Sequence, residues 1–258
     1  MVVVVVDHTS YIAKSRASLE ALKSANLLKS LNINALIFGE EGTGKKTLAK
    51  FILPKAKIVD AENFKELLLA ISSNSAIIIT NFDKILNFNL LKSTIEENET
   101  RIIATSKNEL TEKISSEFFS LTITIPPLHE RSEDIEPLTH KFFEEISSVM
   151  NDNKDISLKD LNIDLSMNCI SLRKAVFTRY MMSSLGEDEV MQVIEEFLSK
   201  KLGGNNDYRE LLYLFDVPMI RCGFKKFNSQ LNMSEKFGLN RNTLRKKIND
   251  NKNNYKLQ

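Results

Sequence analysis

The run Asn34-Ala-Leu-Ile-Phe38, followed by Gly39-Glu-Glu-Gly-Thr-Gly-Lys-Lys46, constrains this chain more than any other stretch. A short apolar run closed by glycine reads as a buried strand. The loop fits G-x-x-x-x-G-K, and Thr47-Leu-Ala-Lys-Phe-Ile-Leu53 continues as a helix. Strand, glycine loop and helix in that order can hold phosphate. Backbone N–H groups and the helix N-terminus face the anion, and Lys45 reaches its terminal oxygens. The expected nucleotide-binding residues are Gly39, Gly42, Thr43, Gly44, Lys45, Lys46, Thr47 and, further on, Asp83, with ATP or ADP as ligand. Lys46 stands where serine or threonine is usual, which removes a usual magnesium ligand. The alternative is a glycine turn that once bound phosphate.

Further apolar runs near 57–59, 76–80, 101–105 and 121–125 alternate with helical segments. That alternation predicts an α/β fold with a parallel sheet. A chain of 258 residues, 42% hydrophobic and 27% charged, has ordinary globular composition and room for more than one domain. Met1–Val6 is too short to span a bilayer and reads as a buried strand, so no membrane partner is expected. Cys169 and Cys222 match no metal spacing and read as buried free thiols in a reducing cytoplasm. His8, His129 and His140 are scattered, so no metal centre is expected.

The glycine loop resembles that of the AAA+ domain of bacterial enhancer-binding proteins, the NtrC-like activators of sigma-54 RNA polymerase. Other matches follow in order. Ser75–Asp83 looks like the Walker B strand, and Arg101–Ser106 is similar to the sensor-I strand. Ile125-Pro-Pro-Leu-His-Glu-Arg131-Ser-Glu-Asp-Ile135 resembles the start of the helical lid, and Asn168–Leu172 the sensor-II helix. The resemblance covers roughly residues 8–190 and implies a P-loop AAA+ core with a helical lid.

The departures bear on catalysis. Where the family has Asp-Glu, Asp83 is followed by Lys84, or in the other register Asn81 by Phe82. A lysine cannot polarise water as a carboxylate does. Lys107 aligns with the sensor-I asparagine, and Ile170 with the sensor-II arginine, with Arg173 one turn away. Residues 102–130, where the family's arginine fingers lie, contain no arginine. No catalytic residue is therefore assigned. The stretch Lys55–Asn74 shows nothing like the G-A-F-T-G-A loop that engages the sigma factor. Tyr11–Ser30 reads as one amphipathic helix leading into the first strand, with no receiver domain.

The last third reads differently. Thirty-five Lys/Arg against thirty-four Asp/Glu leave the chain at +1. Residues 221–258 hold ten Lys/Arg against two acids, +8, which leaves −7 for the rest. A basic module on a mildly acidic body is a footprint for a polyanion. Gly238 is a turn residue, Asn240 a helix cap, and Leu244 with Ile248 an apolar stripe. Asn242, Thr243 and Lys246 point away from that stripe, with Arg241, Arg245 and Lys247 along its sides. Gly238–Asp250 resembles the recognition helix of the Fis-type helix-turn-helix, and the resemblance reaches back to Tyr208. Met233-Ser234 stands where that family has a small pair, which implies looser packing of the two helices.

The expected organisation is a degenerate AAA+ core at 1–126, a lid at 127–192, a linker at 193–206 and a helix-turn-helix module at 207–258, frayed from Asn251. The expected function is a cytoplasmic DNA-binding transcriptional regulator with a non-hydrolysing AAA+ domain. Its expected partners are double-stranded DNA, a second copy joined through 208–220, and RNA polymerase or another activator. The candidate DNA-binding residues are Asn240, Arg241, Asn242, Thr243, Arg245, Lys246 and Lys247. The alternatives are an active ATPase that remodels a transcription partner, and a protein-interaction scaffold.

Overall fold

The apolar runs become five strands: β1 (Ala35–Phe38), β2 (Lys57–Asp60), β3 (Ala76–Thr80), β4 (Arg101–Ser106) and β5 (Leu121–Thr124). They form an all-parallel sheet in the order β2-β3-β4-β1-β5. Ile77, Ile78 and Ile79 of β3 are all fully buried, as expected of a strand covered on both faces. This computed structural model describes residues 11–150, 161–227 and 229–255, so the strand read at Met1–Val6 lies outside the described residues.

Side chains alternate between two cores, the period of a strand. Ile77 and Ile79 join a core made with α3 (Phe64–Ser73), α4 (Phe88–Asn98) and α5 (Glu112–Phe118). Its centre is Phe82, with Phe88, Phe118 and Phe119 at centroid distances of 5.7, 5.4 and 4.9 Å. Ile78 joins the opposite core, made with α1 (Arg16–Ser30) and α2 (Lys45–Ile52) through Ala21, Ala25, Leu28, Leu48 and Ile52. The helix expected from Tyr11 starts only at Arg16, because Ser15 is extended and caps it by accepting from the Ser18 N–H. α6 (Ile135–Met150) and α7 (Cys169–Ser183) fall in the span read as a lid and pack through Phe142, Leu172 and Val176 around Leu128.

The chain divides into two units, one up to Ser184 and one from Leu185 onward. The second begins with α8 (Glu187–Ser199), so residue 192 falls inside a helix. The region 208–220, expected to join two copies, holds most of a short α9 (Asp207–Leu211) and the first half of a longer α10 (Tyr213–Lys226). α11 (Gln230–Lys236) and α12 (Arg241–Tyr255) follow, and α12 runs on through residues expected to fray. Val217, Ile220, Met233, Leu244 and Ile248 form this unit's core.

Two expectations fail here. Cys222 is exposed, so the two cysteines are not both buried thiols. Met233 does not loosen the packing, being 1% exposed. Gly223 of α10 makes the room: a Cβ there would lie 2.3 Å from the Met233 sulfur. No helix among the described residues is long and apolar enough to cross a membrane.

Candidate functional site

The glycine loop joins β1 to α2. Gly44 precedes α2 and has no side chain to cap it, so the first-turn N–H groups keep the polarity that suits an anion. Lys45 Nζ donates to the carbonyls of Gly39 and Glu40, both at 2.6 Å. Burial pushes the Lys45 pKa down, against the opposing pull of Asp83 and Glu41. A phosphate here would offset the desolvation of that ammonium with an opposite charge. Thr43 is buried, and its hydroxyl donates to the Glu40 carbonyl at 2.9 Å, so it shapes the loop. Lys46 is exposed and Thr47 half-buried on the first turn of α2.

A wall of this loop comes from a turn that sequence reasoning missed. Gly42 has φ 77°, and a Cβ there would lie 2.3 Å from the Met167 carbonyl oxygen. Its own carbonyl accepts from the Cys169 N–H at 3.1 Å. Asn168, 2% exposed, has φ 53°, an uncommon conformation for a residue with a Cβ. Its side chain over-determines that geometry. Nδ2 donates to the Glu41 carbonyl at 2.9 Å and Glu40 Oε2 at 3.1 Å, while Oδ1 accepts from the Leu128 N–H at 2.5 Å. The signal in the sequence was the Asn ahead of α7, but its partners Glu40 and Glu41 are more than a hundred residues away, and Leu128 is 40 away. Arg173 does not turn toward the loop; its guanidinium pairs with Glu145 at 2.6 Å.

Asp83 is not at the end of a strand. β3 stops at Thr80, Asn81 turns with φ 55°, and Asp83 sits in the short 3-10 turn Phe82–Lys84. Its carboxylate accepts from Ser106 Oγ at 3.1 Å, the Lys107 N–H at 3.3 Å and Asn108 Nδ2 at 2.7 Å. Burial raises its pKa, but these hydrogen bonds outweigh that and hold it below the usual carboxylate range. Asn108, one residue beyond the expected position, supplies the amide; Lys107 Nζ instead lies 3.5 Å from Glu41. Asn81 donates to Asp60 of β2 at 2.7 Å. The residues present thus fit a phosphate group. They fit a magnesium ion poorly, since Lys46 replaces the hydroxyl ligand and Asp83 is already hydrogen-bonded.

Behind the loop, Arg131 is 1% and Asp134 0% exposed. Arg131 Nη2 donates to the Thr43 carbonyl at 3.1 Å, and Nη1 to Ser18 Oγ at 3.0 Å and to Asp134 at 3.3 Å. Asp134 also accepts from the N–H groups of Lys14 and Ser15 at 2.7 and 2.8 Å and from the hydroxyls of Ser15 and Ser18 at 2.9 and 2.5 Å. Burial raises the Asp134 pKa, and this ring of donors brings it below the ordinary value.

In the second unit, Phe237–Asn240 turns the chain, with Gly238 at φ 65°, between α11 and α12. Leu244 and Ile248 of α12 face inward. Asn240, Arg241, Asn242, Thr243, Arg245 and Lys246 are exposed, and Asn240 Oδ1 accepts from the Asn242 N–H at 2.9 Å. Lys247 differs: its Nζ donates to both oxygens of Asp216 on α10, at 2.8 and 2.6 Å, and is only partly exposed.

No family model matches the sequence, and no curated protein matches it. Among solved structures the chain is similar to NtrX from Brucella abortus. The complex of NtrX with ATP superposes with a TM-score of 0.56 at 14% identity, over 93% of this chain and 69% of that one. The complex with ADP gives 0.59 at 13% identity, over 95% and 69%. At that identity the likeness is one of fold: an α/β core built on a five-stranded parallel sheet.

Proposed function

We propose that this chain is a DNA-binding transcriptional regulator whose AAA+ core binds nucleotide without hydrolysing it efficiently. The observation that carries the reading is α12. Six neighbouring polar or basic residues, Asn240 to Lys246 without Leu244, are exposed on a helix anchored by Leu244 and Ile248 behind a glycine turn. A helix offering amide, hydroxyl and guanidinium groups matches what a major groove accepts. Arg245 and Asn242 are assigned to base edges, and Arg241, Thr243 and Lys246 to phosphates. Lys247, expected among the DNA-binding residues, is left to the Asp216 pair.

Two copies joined through 208–220 would present two such helices about a two-fold axis, so roughly palindromic sites are expected. In the Fis family the helices sit closer than a helical turn apart, which implies bent DNA. In the core, the glycine loop and Lys45 support ATP or ADP binding, as the nucleotide complexes of NtrX suggest by analogy. The missing carboxylate at the end of β3, the engaged Asp83 and the lack of arginine over 102–130 argue against efficient turnover.

The test is a titration of duplex DNA at several salt concentrations with the full chain and Arg245→Ala. Arg245→Ala should cost roughly 1–3 kcal/mol on the preferred site and little on random sequence. Equal losses on both would remove Arg245 from the base-reading role. No measurable affinity of the full chain for any duplex would point to the scaffold.

A further inference from the structure

A magnesium ion in a nucleotide loop is held by the hydroxyl after the loop lysine, by one or two carboxylates and by the phosphates themselves. Here each protein part is replaced or engaged. Lys46 stands in the hydroxyl position on the first turn of α2. The residue after the end of β3 is Asn81, whose amide donates to Asp60 at 2.7 Å. Both oxygens of Asp83 already accept hydrogen bonds, Oδ1 from Ser106 Oγ and the Lys107 N–H, Oδ2 from Asn108 Nδ2. Glu40 accepts from Asn168 at 3.1 Å, and Glu41 lies 3.5 Å from the Lys107 ammonium. Lys46 itself is exposed, and its ammonium has no hydrogen bond or ion pair among the described residues.

We propose that the glycine loop takes a nucleoside polyphosphate in its metal-free form, with Lys46 supplying the positive charge that magnesium supplies elsewhere. Metal-free binding rests on the nucleotide part of the proposed function and names the form of its ligand. Lys45 and Lys46 are consecutive, so α2 opens with two cations where the pattern G-x-x-x-x-G-K-[ST] has one. The N–H groups of the first turn add polarity of the same sign. A metal-free polyphosphate keeps all its negative charge and meets this set directly. Magnesium would cancel part of that charge, and Lys46 would repel the ion itself. A lysine ammonium is a compact charge on a flexible stem, so it can follow the phosphates. Magnesium instead demands near-ideal octahedral ligands, which the engaged side chains around this loop do not offer.

The experiment is calorimetric titration of the full chain with ATP, once in excess EDTA and once in excess magnesium, at matched ionic strength. Wild type should bind in EDTA at least as tightly as in magnesium. Lys46→Ser should lose about tenfold in EDTA, the scale of one charge-assisted contact. In magnesium it should lose little, because it regains the hydroxyl ligand. Lys46→Arg keeps the charge and should stay within a few-fold of wild type in EDTA. Circular dichroism checks that both variants fold, and the wild-type comparison carries the test if one does not. Wild-type binding that is tighter in magnesium overturns the proposal and keeps the nucleotide reading. So does Lys46→Ser that binds like wild type in EDTA, or that loses equally in both media. No ATP binding in either medium removes the nucleotide from both readings and leaves the DNA reading to its own titration.

Discussion

At the glycine loop, Lys45, Asp83 and Asn168 all direct their hydrogen bonds inward, to carbonyls and side chains of their own unit. Along α12, Asn242, Thr243, Arg245 and Lys246 project outward from a helix held to its unit by Leu244, Ile248 and the Lys247–Asp216 pair. The first pattern uses polar groups as fasteners, and each buried partner lost leaves an unsatisfied atom behind. The second leaves them available to an outside ligand. Family resemblance treats both stretches as functional motifs. The direction of their hydrogen bonds separates what shapes the fold from what is left facing solvent.

The comparison breaks most easily at Arg131. If the loop's surroundings are fasteners, Arg131→Ala leaves Asp134 buried without its cation and should destabilise the first unit by on the order of 3–5 kcal/mol. Denaturant unfolding should show this, with the second unit unaffected. Asp134 adds a pH signature. Its folded pKa is depressed, so its stabilisation is full above the ordinary aspartate value of about 3.9 and fades as pH falls further. The stability gap between wild type and Asp134→Asn should therefore be flat near neutrality and shrink in acid. A gap that grows toward acid would contradict the network.

A smaller effect sharpens the contrast within α12. Lys246→Ala should weaken DNA binding on all sequences and flatten the log–log salt slope by about 0.9. Lys247→Ala should leave that slope unchanged and instead lower the stability of the second unit by about 1 kcal/mol, through loss of the Asp216 pair. Equal slopes for the two variants would return Lys247 to the DNA surface.

The smallest effect is expected at Lys45. ATPase activity of wild type and Lys45→Ala should be indistinguishable, while nucleotide affinity falls in the variant. Turnover of about 1 s⁻¹ that disappears with Lys45 would make the core a working ATPase and move the loop to the outward-facing class.

The sheet was legible because each strand is a short apolar run, and all five lie within a residue or two of their expected positions. The glycine loop was legible for the same reason, as local order fixes it. What escaped was set by distant residues. Asp83 looked like the end of a strand until Asn81 turned the chain away two residues earlier. Lys247 looked like its neighbours, because Asp216 is thirty-one positions off. Met233 looked too large for its place, and only Gly223 on another helix makes it fit. α8 was divided between lid and linker, because Gly and charged runs at its ends outweighed its apolar stripe.

The five donors gathered on Asp134 also bear on how the first unit opens. Lys14 and Ser15 lie ahead of the first helix, where chain ends usually fray, yet both N–H groups are held by a residue 119 or 120 positions away. Arg131 ties the same cluster to the Thr43 carbonyl. No one of the three segments can detach without exposing a buried charge. Amide hydrogens at Lys14 and Ser15 should therefore exchange with solvent only in the opening that releases the strands, as members of one cooperative block.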